Sequence, residues 1–272
     1  VATNSVLFNT ARFVGPAIAG FVIAHGGAGW AFALNGISYL AFIIALYRLN
    51  LPPRTPRTRA PASLFADMRE GIAYAARHPG VGPILLLLIA NAVTVRSYVE
   101  LLPGFADVVF GKGVDGLAAL TASIGLGAIA AGVFVGGRNG FRGLTRLAID
   151  GVFLLAAASI LFAATENFWI GMAGAALSGA AMVVSGVAMQ SLIQGATDPA
   201  ILSRVLSLYG LSFRAGPAAG ALIMGVASEF YGLQAPVIAG ALICLVAWFW
   251  TRRRMTEIAA ALEDGESAKS QT

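Results

Sequence analysis

The sequence predicts an all-α membrane protein of about eight transmembrane helices, and three observations predict it. Of the 272 residues, 58% are hydrophobic and 11% charged, with a mean hydropathy of +0.79. So little polar surface cannot cover a water-soluble globule of this size. Apolar windows of about 20 residues, each long enough to cross the hydrocarbon core as a helix, recur along the whole chain. Runs such as Pro83-Ile84-Leu85-Leu86-Leu87-Leu88-Ile89 lack the strict alternation that barrel strands require. The 33 glycines fit the same class, because helices in lipid associate through close approach of small residues.

The windows fall at residues 6–24, 30–47, 83–102, 117–137, 147–164, 169–192, 205–227 and 235–250. Between the second and third lies the longest polar interval. Its stretch Pro52-Pro53-Arg54-Thr55-Pro56-Arg57-Thr58-Arg59 is proline-rich and cationic, the composition of an extended solvated linker. After it Ser63 is a candidate cap for an amphipathic helix whose Leu64, Phe65, Met68, Ile72 and Ala75 share one face, ending at His78-Pro79-Gly80. That helix reads either as lying on the membrane surface or as packed on neighbouring loops. Residues 255–272 read as a short helix that frays into disorder. The organisation expected is residues 1–49 as two helices, 50–82 as linker with amphipathic helix, 83–251 as six helices, and 252–272 as tail.

Alternating eight helices across the bilayer puts Arg48, Arg54, Arg57, Arg59, Arg69, Arg77, Arg138, Arg142, Arg146, Arg204, Arg252, Arg253, Arg254 and Lys269 on one side and Lys112 on the other. By the positive-inside rule the crowded side is cytoplasmic and both chain ends lie there. The net charge of +5 is then a topology signal or, as the alternative, a basic patch for anionic lipid, and not a nucleic-acid surface, since it is spread over short loops beside membrane helices. The lone cysteine, Cys244, provides neither a disulfide framework nor a zinc site within one chain. His25 and His78 are the only histidines, and no His or Cys cluster has ligand spacing. No P-loop pattern is present. No enzyme activity, metal or other cofactor is expected.

A Gly-Pro-Ala core occurs twice, at Gly15-Pro16-Ala17 with Gly20 and at Gly216-Pro217-Ala218 with Gly220. Arg12 precedes the first glycine by three residues and Arg214 the second by two, a difference of about 100° around a helix. Proline weakens the helix one turn back, and small residues let another backbone approach. Each copy therefore reads as a bending or sealing element, or as a plain packing kink.

The chain resembles the carboxy-terminal two-thirds of a major facilitator superfamily transporter, in the bacterial branch of enterobactin exporters and drug efflux permeases. The residues that carry this are Asn4-Ser5-Val6-Leu7-Phe8-Asn9-Thr10-Ala11-Arg12-Phe13-Val14-Gly15-Pro16, Gly29-Trp30-Ala31-Phe32-Ala33-Leu34-Asn35, Gly71-Ile72-Ala73-Tyr74 with Arg77-His78-Pro79, and Arg204-Val205-Leu206-Ser207-Leu208-Tyr209. The resemblance implies a major facilitator-type helical bundle. Its eight helices would be the fifth to the twelfth, with the first four expected outside this sequence. It also implies residence in the bacterial inner membrane and alternating access between two bundles. The implied activity is proton-coupled export of a small amphipathic or hydrophobic compound, siderophore or drug-like, with the lipid bilayer, that substrate and protons as partners. The rival from another class is a non-transporting membrane scaffold or receptor derived from a transporter.

Ionisable residues at membrane depth are the candidate transport residues. Arg96 and Glu100, one α-helical turn apart, either line the transport path, with Glu100 as proton or cation carrier, or form a structural bridge near the outer interface. Arg12, with Asn9 beside it, and Arg214 either contact substrate or cap carbonyls of a broken helix. Asp150 is close enough to a helix end to snorkel to water. Ser178, Met182, Ser185 and Met189 form one stripe, facing a cavity or a neighbouring helix, while Gly171, Ala175 and Gly179 mark a close-packing face. Asn35, Asn91 and Gln190 either bind ligand or hydrogen-bond between helices.

Overall fold

The computed structural model describes residues 22, 26–27, 29–49, 64–136 and 143–269. Apart from residue 22, the expected window at 6–24 lies outside them, as does the whole cationic stretch at 52–59. The chain divides into two compact units, Val1–Leu64 and Phe65–Thr272. Among the described residues every regular element is helical and none is a strand, as an all-α membrane protein requires.

In the first unit, α1 (Gly29–Tyr47) is long and apolar enough to cross a membrane. Its side chains are exposed along nearly all its length, which suits a surface solvated by hydrocarbon. Ser38 Oγ donates to the Asn35 carbonyl at 2.7 Å, keeping the hydroxyl satisfied within the helix.

The second unit opens with α2 (Leu64–Arg77). Gly71 and Ala75 are buried while Ile72 is 54% exposed. A Cβ on Gly71 would lie 3.2 Å from Leu208, and Glu70 pairs with Arg204 at 3.0 Å. Helix α2 is therefore docked by its small-residue face against Arg204 and Leu208, which belong to a helix and not to a loop. Six long segments follow: α3 (Val81–Thr94) with its continuation to Val109, α4 (Gly113–Gly136), α5 (Leu144–Ala163), α6 (Phe168–Ala196), α7 (Leu202–Tyr231) and α8 (Gln234–Arg253). All but α7 are long and apolar enough to span a membrane by composition. The expected window at 205–227 falls inside α7, whose Arg214, Pro217 and Glu229 dilute its hydropathy. Its 30 residues still extend about 45 Å.

Tight glycine contacts draw these helices together. A Cβ on Gly179 of α6 would strike the Ile124 carbonyl of α4, and one on Gly127 of α4 would strike the Ala176 carbonyl of α6. Each helix thus presses a glycine into the other's backbone, the arrangement expected where dispersion and close approach drive association in lipid. Gly171, further along the same face of α6, receives the Phe110 ring, its missing Cβ lying 2.6 Å from Cζ. Toward that end of the bundle, Phe162 gathers Tyr98, Phe105 and Phe110 with ring centroids 5.1, 4.8 and 5.7 Å away.

The opposite, arginine-rich end is closed by α9 (Met255–Lys269). Sequence suggests a fraying tail, but Ile258 and Leu262 are completely buried. Leu262 sits where a side chain on Gly80 would be, 2.5 Å from that Cβ position. Two apolar side chains one turn apart hold the helix down. Asp150 does more than reach water: it accepts from Arg252 Nη1 at 2.8 Å and from Arg146 Nε at 3.2 Å, tying α5 to α8.

Helix starts at these ends are capped from three sources. Asn167 Oδ1 accepts from Trp169 N and Ile170 N at 2.9 and 3.3 Å, a local cap for α6. His78 Nδ1 accepts from Gly80 N and Val81 N, both at 3.2 Å, at the start of α3. Helix α5 begins on Gly143, φ 80°, which has no side chain to cap with. Glu263 of α9 supplies the missing acceptor, its carboxylate taking Gly143 N and Thr145 N at 2.8 Å each.

Glu263→Ala is expected to cost about 1 kcal/mol, the usual penalty for losing a cap, read as a lower unfolding midpoint in detergent. An unchanged midpoint would show that water replaces the cap. Partial burial pulls His78 below its ordinary 6.5, so the folded state holds it neutral, with Nδ1 free to accept. Its contribution is present in full above pH 6.5 and is lost as pH falls from there through the lower folded-state value. Unfolding midpoints of the wild type should therefore drop on acidification more steeply than those of His78→Asn, which caps without titrating. Parallel pH profiles would remove His78 from this role.

Candidate functional site

The span Val81–Val109 is not one uniform helix. It is α-helical to Thr94, 3₁₀ over Arg96–Leu101, a single turn at Leu102–Gly104 and π over Phe105–Val109. Pro103, which has no amide proton, sits in that turn. Changes of helical pitch inside a membrane free backbone carbonyls that lipid cannot satisfy. Ser97 Oγ answers this by donating toward Ala92 O at 3.0 Å and Val93 O at 2.8 Å, and Thr94 Oγ1 donates to Ala90 O at 2.7 Å.

Glycines from two other helices floor this break. A Cβ on Gly216 of α7 would lie 2.7 Å from Ala92 Cβ. One on Gly220 would strike the Val93 carbonyl and Ser97 Oγ, and one on Gly240 of α8 would strike the Thr94 carbonyl. The second Gly-Pro segment is thus a contact face against the break. Pro217, which has no amide proton to donate, lies inside α7 beside this contact.

Arg96 opens the 3₁₀ turn, half-buried, with its guanidinium 3.7 Å from the Phe213 ring centroid. Phe213 stacks on Tyr209, centroids 5.8 Å apart and planes 17° apart. The Tyr209 hydroxyl donates to the Gly186 carbonyl of α6 at 3.2 Å. A cation, two rings and a carbonyl therefore run from the helix break across α7 to α6.

The 3₁₀ geometry changes what the sequence spacing means. Four residues correspond to about 40° on an α-helix but about 120° on a 3₁₀ helix. Arg96 and Glu100 accordingly do not share a face. Glu100 is exposed, as is Arg214 beside Phe213.

The remaining candidates separate. Ser178, Ser185 and Met189 are buried at 0, 1 and 0% exposure, and Met182 is half-buried between the two core clusters. That stripe lies in helix contact, with Ser185 against Gly151 of α5. Asn91 is buried one turn before the break, its Oδ1 without a hydrogen-bond partner. Tyr98 OH neighbours Ser178 Oγ, both fully buried and short of a well-formed hydrogen bond. Gln190 is half-buried on α6 and Asn35 is exposed on α1. Asn9, Arg12, Gly15, Pro16 and Gly20 lie outside the described residues. Phe213, Tyr209, Ser97 and Gly240 are absent from the sequence-based set. Tyr209 and Phe213 at i, i+4 do signal a shared aromatic face, but no local pattern joins them to Arg96.

A multi-pass bundle of apolar helices, broken at an ionisable residue and closed by glycine contacts, defines the class as a polytopic helical membrane protein. The family model described as "Transmembrane secretion effector", a branch of the major facilitator superfamily, matches residues 1–270, and the chain belongs to that family. It is 31% identical over 271 residues to the enterobactin exporter EntS of Escherichia coli O157:H7 (strain EC4115 / EHEC), an alignment covering 93% of this chain and 62% of that protein. The EntS proteins of Escherichia coli O1:K1 / APEC and Shigella boydii serotype 18 are 32% and 31% identical over 223 residues, covering 78% of this chain and 50% of theirs. The chain thus spans between half and two-thirds of the length of these relatives.

Gly220→Ala is expected to destabilise by about 1–3 kcal/mol, since its Cβ meets backbone that cannot step aside. Gly225→Ala on the same helix, with nothing within 4 Å, should instead be neutral or stabilising by up to about 1 kcal/mol. Thermal unfolding of the two variants checks the contact, and equal midpoints would refute it.

Proposed function

We propose that the protein exports a small amphipathic or hydrophobic compound, siderophore or drug-like, across the bacterial inner membrane in exchange for protons, by alternating access. The observation that carries this reading is the cation held on an aromatic pair at a broken, glycine-floored helix. A charge at membrane depth is costly and marks a substrate or ion path, and a pitch change in a packed helix marks a place that moves. The name of the EntS relatives supports export and a siderophore-like cargo.

In this reading Arg96 and Arg214 attract anionic parts of the substrate. Glu100, exposed on the same 3₁₀ turn, exchanges protons. Gly216, Pro217 and Gly220 let α7 slide or bend against α3, and Gly15, Pro16 and Gly20, with Arg12 and Asn9, play the matching part in the other half. Asn35, Asn91 and Gln190 are candidate cavity-lining groups. Residues 1–49 then end the first bundle, 50–82 link the two, 83–251 form the second, and 252–272 with both chain ends face the cytoplasm.

Proton-driven efflux by the full-length protein in everted vesicles tests the coupling role. Glu100→Gln is expected to slow it by at least about tenfold, the loss of one interaction of ~1.4 kcal/mol in the rate-limiting step, at unchanged protein level. Efflux at the wild-type rate would remove Glu100 from coupling.

A further inference from the structure

Three consecutive arginines close α8, and the structure gives them two different tasks. Arg252 turns inward, to Asp150 at 2.8 Å and to Met255 Sδ at 3.2 Å. Arg253 and Arg254 turn outward and are exposed. Arg253 lies over the Phe249 ring at 4.4 Å and Arg254 over the Trp250 ring at 4.6 Å. Neither is ion-paired with any described residue. Two guanidiniums are thus held on neighbouring rings, their N–H edges open to solvent.

The rings continue a stripe. Leu242, Ile243, Val246, Phe249 and Trp250 are all exposed, Val246 by 71%. Their spacing of three and four residues puts them on one face of α8. Arg253 and Arg254 sit one turn beyond the last two members, so the apolar face ends directly in the paired cations. From Leu242 to Arg253 the helix rises about 16 Å, close to the ~15 Å depth of one hydrocarbon leaflet. An apolar track one leaflet deep, capped by two fixed cations, matches one phospholipid in length and complements an anionic headgroup in charge.

We propose that Arg253 and Arg254 form a binding site for the headgroup phosphate of an anionic phospholipid in the leaflet on the arginine-rich side. The acyl chain lies along Leu242, Val246 and Phe249. Guanidiniums suit this ligand because their fork donates to two phosphate oxygens at once. Stacking on Phe249 and Trp250 fixes their orientation beforehand, which lowers the ordering cost of binding. Arg252, spent on Asp150, holds the end of α8 in place and leaves the other two free to face lipid. The site does not depend on the export reading and would serve any transport activity.

The test uses the full-length protein in nanodiscs of phosphatidylcholine alone or mixed with phosphatidylglycerol, read by unfolding midpoint and by native mass spectrometry of retained lipid. Phosphatidylglycerol is expected to raise the wild-type midpoint and to stay bound. The Arg253→Gln, Arg254→Gln double variant should lose most of that rise and bind phosphatidylglycerol about tenfold or more weakly. Arg252→Gln should lower the midpoint equally in both lipids, separating a structural arginine from the two lipid-binding ones. Phe249→Ala with Trp250→Ala, which keeps both charges, should also weaken phosphatidylglycerol retention. An equal phosphatidylglycerol response in wild type and double variant would overturn the site. Equal stabilisation by inorganic phosphate in detergent would show a free-anion site, and a protein copurifying on this face in place of lipid would show a protein interface; either result overturns the proposal.

Discussion

Every backbone N–H and C=O inside hydrocarbon must find a partner within the protein, and this constraint governs the rest of the structure. It explains why the described residues form helices and nothing else. It also explains what surrounds the break in helical regularity after Thr94. When α3 passes into a 3₁₀ turn, Ser97 and Thr94 return hydroxyl donors to carbonyls of the preceding turn. Gly216, Gly220 and Gly240 bring two further helices close enough to seal the break from lipid. A break maintained at that expense, with Arg96 at its start, suits an element that changes shape more than one that merely spans.

At the helix ends the same constraint is met differently, because water and polar side chains are available there. Asn167 caps its own helix from one residue away, His78 from three residues before Val81, and Glu263 caps α5 from the far end of the chain. The Glu263 cap makes α9 part of the bundle: its apolar face fills the notch at Gly80 while its carboxylate completes α5. Together with the Asp150–Arg252 pair, it joins the ends of α3, α5, α8 and α9 into one cross-braced layer.

Aromatic rings prepare arginines at two depths. Within the membrane Phe213 and Tyr209 hold Arg96 over α7; at the end of α8 Phe249 and Trp250 hold Arg253 and Arg254. The attraction of a cation for a ring face is stronger where water is scarce, so each ring limits the range its arginine explores. The first arrangement faces the helix interface and the second faces outward.

Composition, window length and the distribution of arginine determined by themselves that this is a helical membrane protein, because the cost of polar groups in lipid is read residue by residue without knowing the fold. The close-packing face at Gly171, Ala175 and Gly179 was legible for a similar reason: small residues every four positions expose backbone on one side of a helix whatever approaches it. The family was legible because its motifs run along nearly the whole chain. The pitch change at Arg96 was not, since a 3₁₀ turn here depends on glycines more than a hundred residues away, and it undoes the α-helical spacing that suggested an Arg96–Glu100 pair. Only tertiary structure placed Phe213 under Arg96, Glu263 on Gly143, and the Ser178 stripe in a helix contact. Each of these depends on which helix lies beside which, and no periodicity within a single helix records its neighbour.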